Sequence, residues 1–235
     1  MVDKETALIV GAGRGLSASL ARLFAAEGMA VAIAARNTDK LSGLVAETGA
    51  RAYACDASDP AAVDSLFKAV TADIGAPNIV VYNASNRGGR GPVTELDPEA
   101  VRNALMISAF GGFLVAQAAA KQMIPGGGGT ILLTGASASV KGYPNSSSFA
   151  MGKFGLRGVA QSLARELQPQ NIHVAHFVID GGILLLDGED ARAAARGEDG
   201  TLNPDEIAST YLQVHRQHRS AWTWEMELRP WVEKF

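Results

Sequence analysis

Cysteine occurs once in the chain, at Cys55, so no internal disulfide can form, and its apolar neighbours suit packing in a reducing compartment. Histidine is nearly as scarce: the four residues His173, His176, His215 and His218 show no metal-ligand spacing, and no metal site is expected. His215 and His218 stand at i, i+3 and read as one solvated helix face. No GxSxG elbow is present, which removes a serine hydrolase from consideration. A dominant charge of one sign is missing too. The 21 Lys+Arg and 24 Asp+Glu leave a net charge of −3 spread along the chain, so neither nucleic acid nor a membrane surface has an electrostatic case. No run of apolar residues approaches the ~18 needed to span a bilayer, and MVDKETALIV enters a strand at once without the regions of a signal peptide. The expectation is a soluble cytoplasmic protein without a membrane partner. Its 235 residues suffice for one α/β domain but leave too little for a separate substrate domain.

Glycine, by contrast, is abundant, with 26 residues, and its placement organises the chain. The stretch from Leu8 to Arg36 carries an apolar run (Leu8, Ile9, Val10), a glycine cluster (Gly11, Gly13, Gly15), a helical pattern and a second apolar run from Ala30 to Ala34. This is a strand, turn, helix, strand unit. Glycines there let the backbone turn tightly and approach a ligand, while the helix start turns unpaired N–H groups and its positive dipole end toward an anion. A dinucleotide pyrophosphate fits such a place. Leu16, Leu20, Leu23 and Phe24 form one apolar helix face that packs on a sheet.

Further along, strands alternate with helices. Ala52 to Cys55, Ile79 to Tyr82, Ile131 to Thr134 and His173 to Ile179 read as strands three to six. Helices are predicted from Pro60, from Pro98, over about 149–167 and from Pro204, with Ser58 or Asp59 and Asn203 as caps. Strands apolar almost throughout imply a parallel sheet covered by helices on both faces, with ligands at the carboxyl ends of the strands. Residues 183–203, rich in leucine, acids and arginines, read as a lid over the site. The tail 221–235 holds all three tryptophans and is expected to pack on this subunit or a neighbour.

Five features in order, over about residues 6–185, resemble the short-chain dehydrogenase/reductase family. They are the GxxxGxG-like turn with Ser17 in the last glycine position, Asp56 after strand three, Asn83-Ala84 after strand four, a serine-bearing loop after strand five, and the YxxxK spacing held by Phe149 and Lys153. The resemblance implies a single-domain, doubly wound Rossmann fold over 1–235, strand order 3-2-1-4-5-6 with room for a short seventh. It also implies cofactor contacts at Gly11, Gly13, Arg14, Gly15, Leu16, Arg36, Asp56, Ala57, Asn83, Ala84, Lys153 and Ile183. Charge favours NADP over NAD: Arg36 stands at the end of strand two, where an NAD-binding chain needs an acid, and Arg14 lies in the turn. The family assembles dimers or tetramers, and small residues (Ala116, Ala118 to Ala120, Gly155, Gly158, Ala160) permit close helix contact, within a subunit or between subunits.

The site departs from that pattern. In the family a tyrosine hydroxyl exchanges the proton with the substrate oxygen, and here position 149 is Phe, which has no proton to give. Ser108 stands where the family carries an asparagine. Ser137 lies one residue short of the usual serine spacing, with Ser139 as the other candidate, and Tyr143 is a candidate replacement donor. Ser17 is expected to crowd the first helix without abolishing cofactor binding. Phe in place of tyrosine, the IDGG run from Ile179 to Gly182 and the LRPWVEKF tail also resemble a divergent subgroup with an incomplete tetrad. Two readings stay open: an NADP-dependent oxidoreductase of a small carbonyl or activated enoyl compound with an atypical site, and an inactive NADP-binding sensor or partner subunit.

Overall fold

The computed structural model describes residues 4–186 and 190–234. Seven strands form one parallel sheet: β1 (Thr6–Val10), β2 (Ala30–Ala35), β3 (Arg51–Ala54), β4 (Ile79–Tyr82), β5 (Gly129–Thr134), β6 (Ile172–Ile179) and a strand near the C-terminus, Glu225–Leu228. Their order is 3-2-1-4-5-6 with the last strand outside β6, so the predicted arrangement and the additional strand are both present. The reversal between β1 and β4 opens a crevice at the carboxyl ends of the strands, where ligands of doubly wound sheets bind.

Each face of the sheet buries a separate core, because successive residues of a strand point to opposite sides. Ala7 and Ile9 of β1 pack with Leu16, Leu20 and Phe24 of α1 (Leu16–Ala26), and α2 (Ser42–Thr48) lies on this side. Leu8 and Val10 pack on the other face with Val63, Leu66, Phe67 and Val70 of α3 (Pro60–Ile74). That face also carries α4 (Pro98–Leu105), α5 (Gly111–Met123) and α6 (Ser147–Leu167). Burying a side chain such as Leu20 or Phe24 contributes about 1.5–3 kcal/mol, so the predicted helix face is the main anchor of the first crossover. Asp59, Asp97 and Asn203 cap their helices through side-chain oxygens, each followed by proline in the first turn.

Between α4 and α5 the helix widens into a π segment, Met106–Phe110, whose Ile107 carbonyl accepts from the Tyr82 hydroxyl. Such widened turns accompany functional sites. By length and composition the whole helix Pro98–Met123 would suffice to cross a membrane, although no unbroken apolar run marks it in the sequence; 56% of its most apolar 18 residues is buried in the fold. The small residues Ala116, Ala119, Ala120 and Ala160 face inward, so close helix packing is used within the subunit.

Past β6 the chain forms β7 (Gly182–Ile183), α7 (Ala191–Arg196), β8 (Thr201–Leu202) and α8 (Pro204–His215) before the outer strand, β9 (Glu225–Leu228). β7 pairs with β8, and α8 covers the α1 face with Ile207, Tyr211 and Leu212. The segment read as a lid therefore contains a small sheet and a short helix, with residues 187–189 outside the described residues. The helix ends at His215, so His215 and His218 do not share a solvated face. His215 is buried enough to hydrogen-bond Thr130 at 2.9 Å and Glu5 at 3.3 Å, whereas His218 accepts from Ser220 N past the helix end.

Candidate active site

The first turn is built around close backbone approaches. Gly11 and Ala12 both donate to the Ala34 carbonyl at 2.9 Å, which turns the chain sharply off β1. Gly11 takes φ +91°, and a Cβ built there would fall 2.5 Å from Ala84 Cα, so the turn and the Asn83-Ala84 segment can touch only because residue 11 is glycine. Ser17 does not crowd this arrangement. Its buried hydroxyl donates to the Gly11 carbonyl at 3.0 Å and accepts from Asn83 Nδ2 at 2.7 Å, stitching the turn to the end of β4. The departure from glycine thus supplies a hydrogen-bonded bridge.

A cleft of about 600 Å³ runs from this turn across the strand ends. Gly11, Gly13, Gly15 and Leu16 line one end; Asn83, Ser137, Tyr143, Phe149, Lys153 and Ile183 line the rest. A second cleft of about 250 Å³ adjoins it, lined by Arg36, Lys40, Asp56, Ala57, Asn83 and Ala84. The predicted cofactor residues are therefore gathered at two adjoining hollows, except Arg14, which is exposed and does not line either one. Lys40 takes its place beside Arg36. One helical turn after the end of β2, at Asp39–Leu41, carries it there, a placement not visible in spacing from the glycines. Asp56 is held below the usual carboxylate range, first by hydrogen bonds from the Ser58 hydroxyl and amide and then by the charge of Arg36.

The residues fit an anionic dinucleotide. Helix α1 begins at the cleft with no side chain capping its first turn, leaving amide N–H groups for a ligand. A Cβ on Gly13 would meet nothing within 4 Å, so that glycine borders open space of the kind a pyrophosphate fills. Lys153 is buried and donates to the Thr134 carbonyl at 2.8 Å, with further ammonium protons left for a ligand. Burial first, and the charge of Arg87 second, lower its pKa to about 8.

That shift has a sign that can be checked. Between about pH 8 and 10.5 the unfolded chain holds a proton that folded Lys153 has lost, so without nucleotide this group makes stability rise with pH. The rise amounts to something on the order of 3 kcal/mol over the window. Urea midpoints of the parent and Lys153→Met, compared from pH 7.5 to 10.5, are expected to show this component in the parent only; equal slopes refute it.

Around Lys153 the candidate donors separate. Ser139 is fully buried and its hydroxyl accepts from Ala136 N at 3.1 Å, so it caps its own loop, while Ser137 lines the cleft. Ser108 lies in the π segment, buried, with its hydroxyl 3.3 Å from Asn86 N, so it holds the Asn86 loop and does not line the cleft. Tyr143 lines the cleft and is 44% exposed. Phe149 occupies the helix position four residues before Lys153, whose ammonium stands 5.9 Å from its ring centre.

Residues given no individual site role from sequence border the cleft. Asp180, buried after β6, is held by Lys141 at 3.3 Å and Arg229 at 3.0 Å, and Arg196 pairs with Glu233 at 3.4 Å. These contacts lay the tail beside the site, with Trp231 Nε1 donating to Asp199 at 3.0 Å. Behind the sheet, Arg157 and His176 both meet Glu225, fastening β9 to α6 and β6. Burial keeps His176 neutral, its pKa lowered to about 4. Among the described residues no cluster of potential metal ligands occurs, and buried Cys55 has its thiol pushed up to about 11 by burial.

The family model for short chain dehydrogenase matches residues 5–183. D-threitol dehydrogenase of Mycolicibacterium smegmatis is 31% identical over 178 residues, 74% of this chain and 68% of that protein. A short-chain dehydrogenase from Rhodopseudomonas palustris superposes with a TM-score of 0.83 at 35% identity, covering 97% of this chain and 99% of that one. A metagenomic short-chain oxidoreductase in complex with NADP gives 0.82 at 25% identity, with 97% and 98% covered. Structures of this fold have been solved with NADP and with NADH.

Proposed function

From a chain that belongs to the short-chain dehydrogenase/reductase family, whose relatives are oxidoreductases using a nicotinamide cofactor, we propose an NADP-dependent oxidoreductase of a small carbonyl or activated enoyl compound that works without the tyrosine. The observation that carries this reading is the line of ligand-facing groups along one crevice: uncapped α1, open Gly13 and the buried Lys153 ammonium. Bound there, a dihydronicotinamide supplies hydride to an electrophilic carbon.

This chain's own residues then have separable tasks. Lys153 binds the cofactor ribose. Ser137 donates a hydrogen bond to the substrate oxygen. Tyr143 or water returns the proton that Phe149 lacks, the task of a general acid. An enoyl substrate lightens that demand, because an enolate held by hydrogen bonds can take its proton from water. Arg36 and Lys40 favour a 2′-phosphate at the adenosine end. Segment 183–203 acts as a lid, the chain works in a reducing cytoplasmic compartment, and copies associate through the exposed Phe113, Met151 and Phe154 of α5 and α6.

Phe149 also supports a second reading, an NADP-binding protein that turns nothing over. Binding and turnover assays separate the two. Fluorescence titration is expected to favour NADPH over NADH. Arg36→Glu is expected to weaken NADPH by about tenfold to a hundredfold, the worth of a charged hydrogen bond, with NADH little changed. Equal losses for both nucleotides would refute the NADP assignment. Oxidation of NADPH with aldehydes, ketones or enoyl thioesters supports the enzyme, and none with any of them supports the sensor.

A further inference from the structure

Charge along the lining of the large cleft is unbalanced. Four cations line the cleft, Arg87, Arg90, Lys153 and Arg196, against two acids, Asp180 and Glu233. Both acids already have cationic partners: Asp180 is held by Lys141 and Arg229, and Glu233 by Arg196. Lys153 is engaged with the Thr134 carbonyl. Arg87 and Arg90 meet no carboxylate among the described residues, and they stand three residues apart on one loop.

That loop is anchored. The Ser148 hydroxyl lies 2.6 Å from the Arg87 carbonyl and 3.2 Å from that of Gly89, Gly88 N donates to Asn86 Oδ1 at 3.0 Å, and Gly91 N donates to the Asn145 carbonyl at 3.1 Å. The Arg87 guanidinium carbon sits 4.8 Å from the centre of the Phe149 ring. A guanidinium over an aromatic face has one side covered by carbon, while its N–H edge stays open to a planar, two-oxygen partner. Phenylalanine at 149 therefore serves as a platform for a cation, a role its missing hydroxyl does not impair.

We propose that the substrate is a carboxylate, seated in two-point fashion on Arg87 above Phe149 with Arg90 adding charge at the mouth of the cleft. This rests on the oxidoreductase reading, since it names the substrate class of the same site. The arginines hold the acid end of the molecule, which leaves its electrophilic carbon to lie toward Lys153 and Ser137. A phosphate monoester is the other anion such a fork accepts, and its binding is an outcome that the titration separates from that of a carboxylate.

The test uses the full-length protein saturated with NADP and titrates a series of straight-chain mono- and dicarboxylates, their methyl esters and alkyl phosphates by calorimetry. Acids are expected to bind at least tenfold tighter than their esters, and Arg87→Met to remove that difference while NADPH affinity stays within twofold of the parent. Arg90→Met is expected to weaken the acids by a smaller factor. Esters that bind as well as acids, phosphates that bind best, or acid binding untouched by Arg87→Met would each overturn the proposal. Failure of NADPH itself to bind would instead overturn the cofactor reading, and the same titration run without nucleotide still reports on Arg87.

Discussion

Phe149→Tyr is expected to raise kcat/KM for NADPH-dependent carbonyl reduction by about 10²–10⁴-fold, the usual contribution of a positioned general acid. The ring already lines the cleft, one helical turn before Lys153, whose ammonium lies 5.9 Å from the ring centre. A phenol there would feel that cation, which favours its ionised form and brings its pKa toward the working range. Steady-state rates with a panel of ketones and aldehydes read the effect. The parent's residual rate should fall with Tyr143→Phe, whereas the same change in the Phe149→Tyr background should be nearly silent. A Phe149→Tyr protein no faster than the parent would mean that this ring does not border the reacting carbon.

Gly11→Ala is expected to cost about 2–4 kcal/mol of stability and to abolish nucleotide binding, combining backbone strain with overpacking. The substituted residue would have to hold φ +91° while its methyl entered the space of Ala84. Relief can come only by parting β1 from the Asn83-Ala84 segment, which breaks the Ser17 bridge and tilts the start of α1 away from the cleft. Urea denaturation measures the first effect and NADPH fluorescence the second. Gly13→Ala is the contrasting case: its Cβ meets nothing, so stability should hold while binding falls. A Gly11→Ala protein as stable as the parent would refute the tight approach.

How far the chain could be read before its fold was known depended on the range of the interactions involved. Apolar runs such as Leu8–Val10 and Ile79–Tyr82 are local signals of buried strands, and the parallel order followed from them and the intervening helices. Caps such as Asp59 and Asn203 were equally local. The described parts of segment 183–203 and the tail were harder. Their shape depends on pairings such as Asp180 with Arg229 and Arg196 with Glu233, between residues 37 or more positions apart.

Within the site the same division holds. The missing hydroxyl at Phe149, the kept Lys153 and the glycine turn were legible because residue type alone decides what each can do. The choice between Ser137 and Ser139 was not, since one residue of offset decides whether a hydroxyl caps its own loop or lines the cleft. Lys40 beside Arg36, and Arg87 over the Phe149 ring, arise where separate loops meet at the strand ends. Sequence by itself determined the sheet, the nucleotide-type turn and the absence of a phenolic acid, because those rest on short-range periodicity and side-chain chemistry. Tertiary structure alone decided which charges are paired with one another among the described residues, because ion pairing depends on distances that neighbours in the chain do not set.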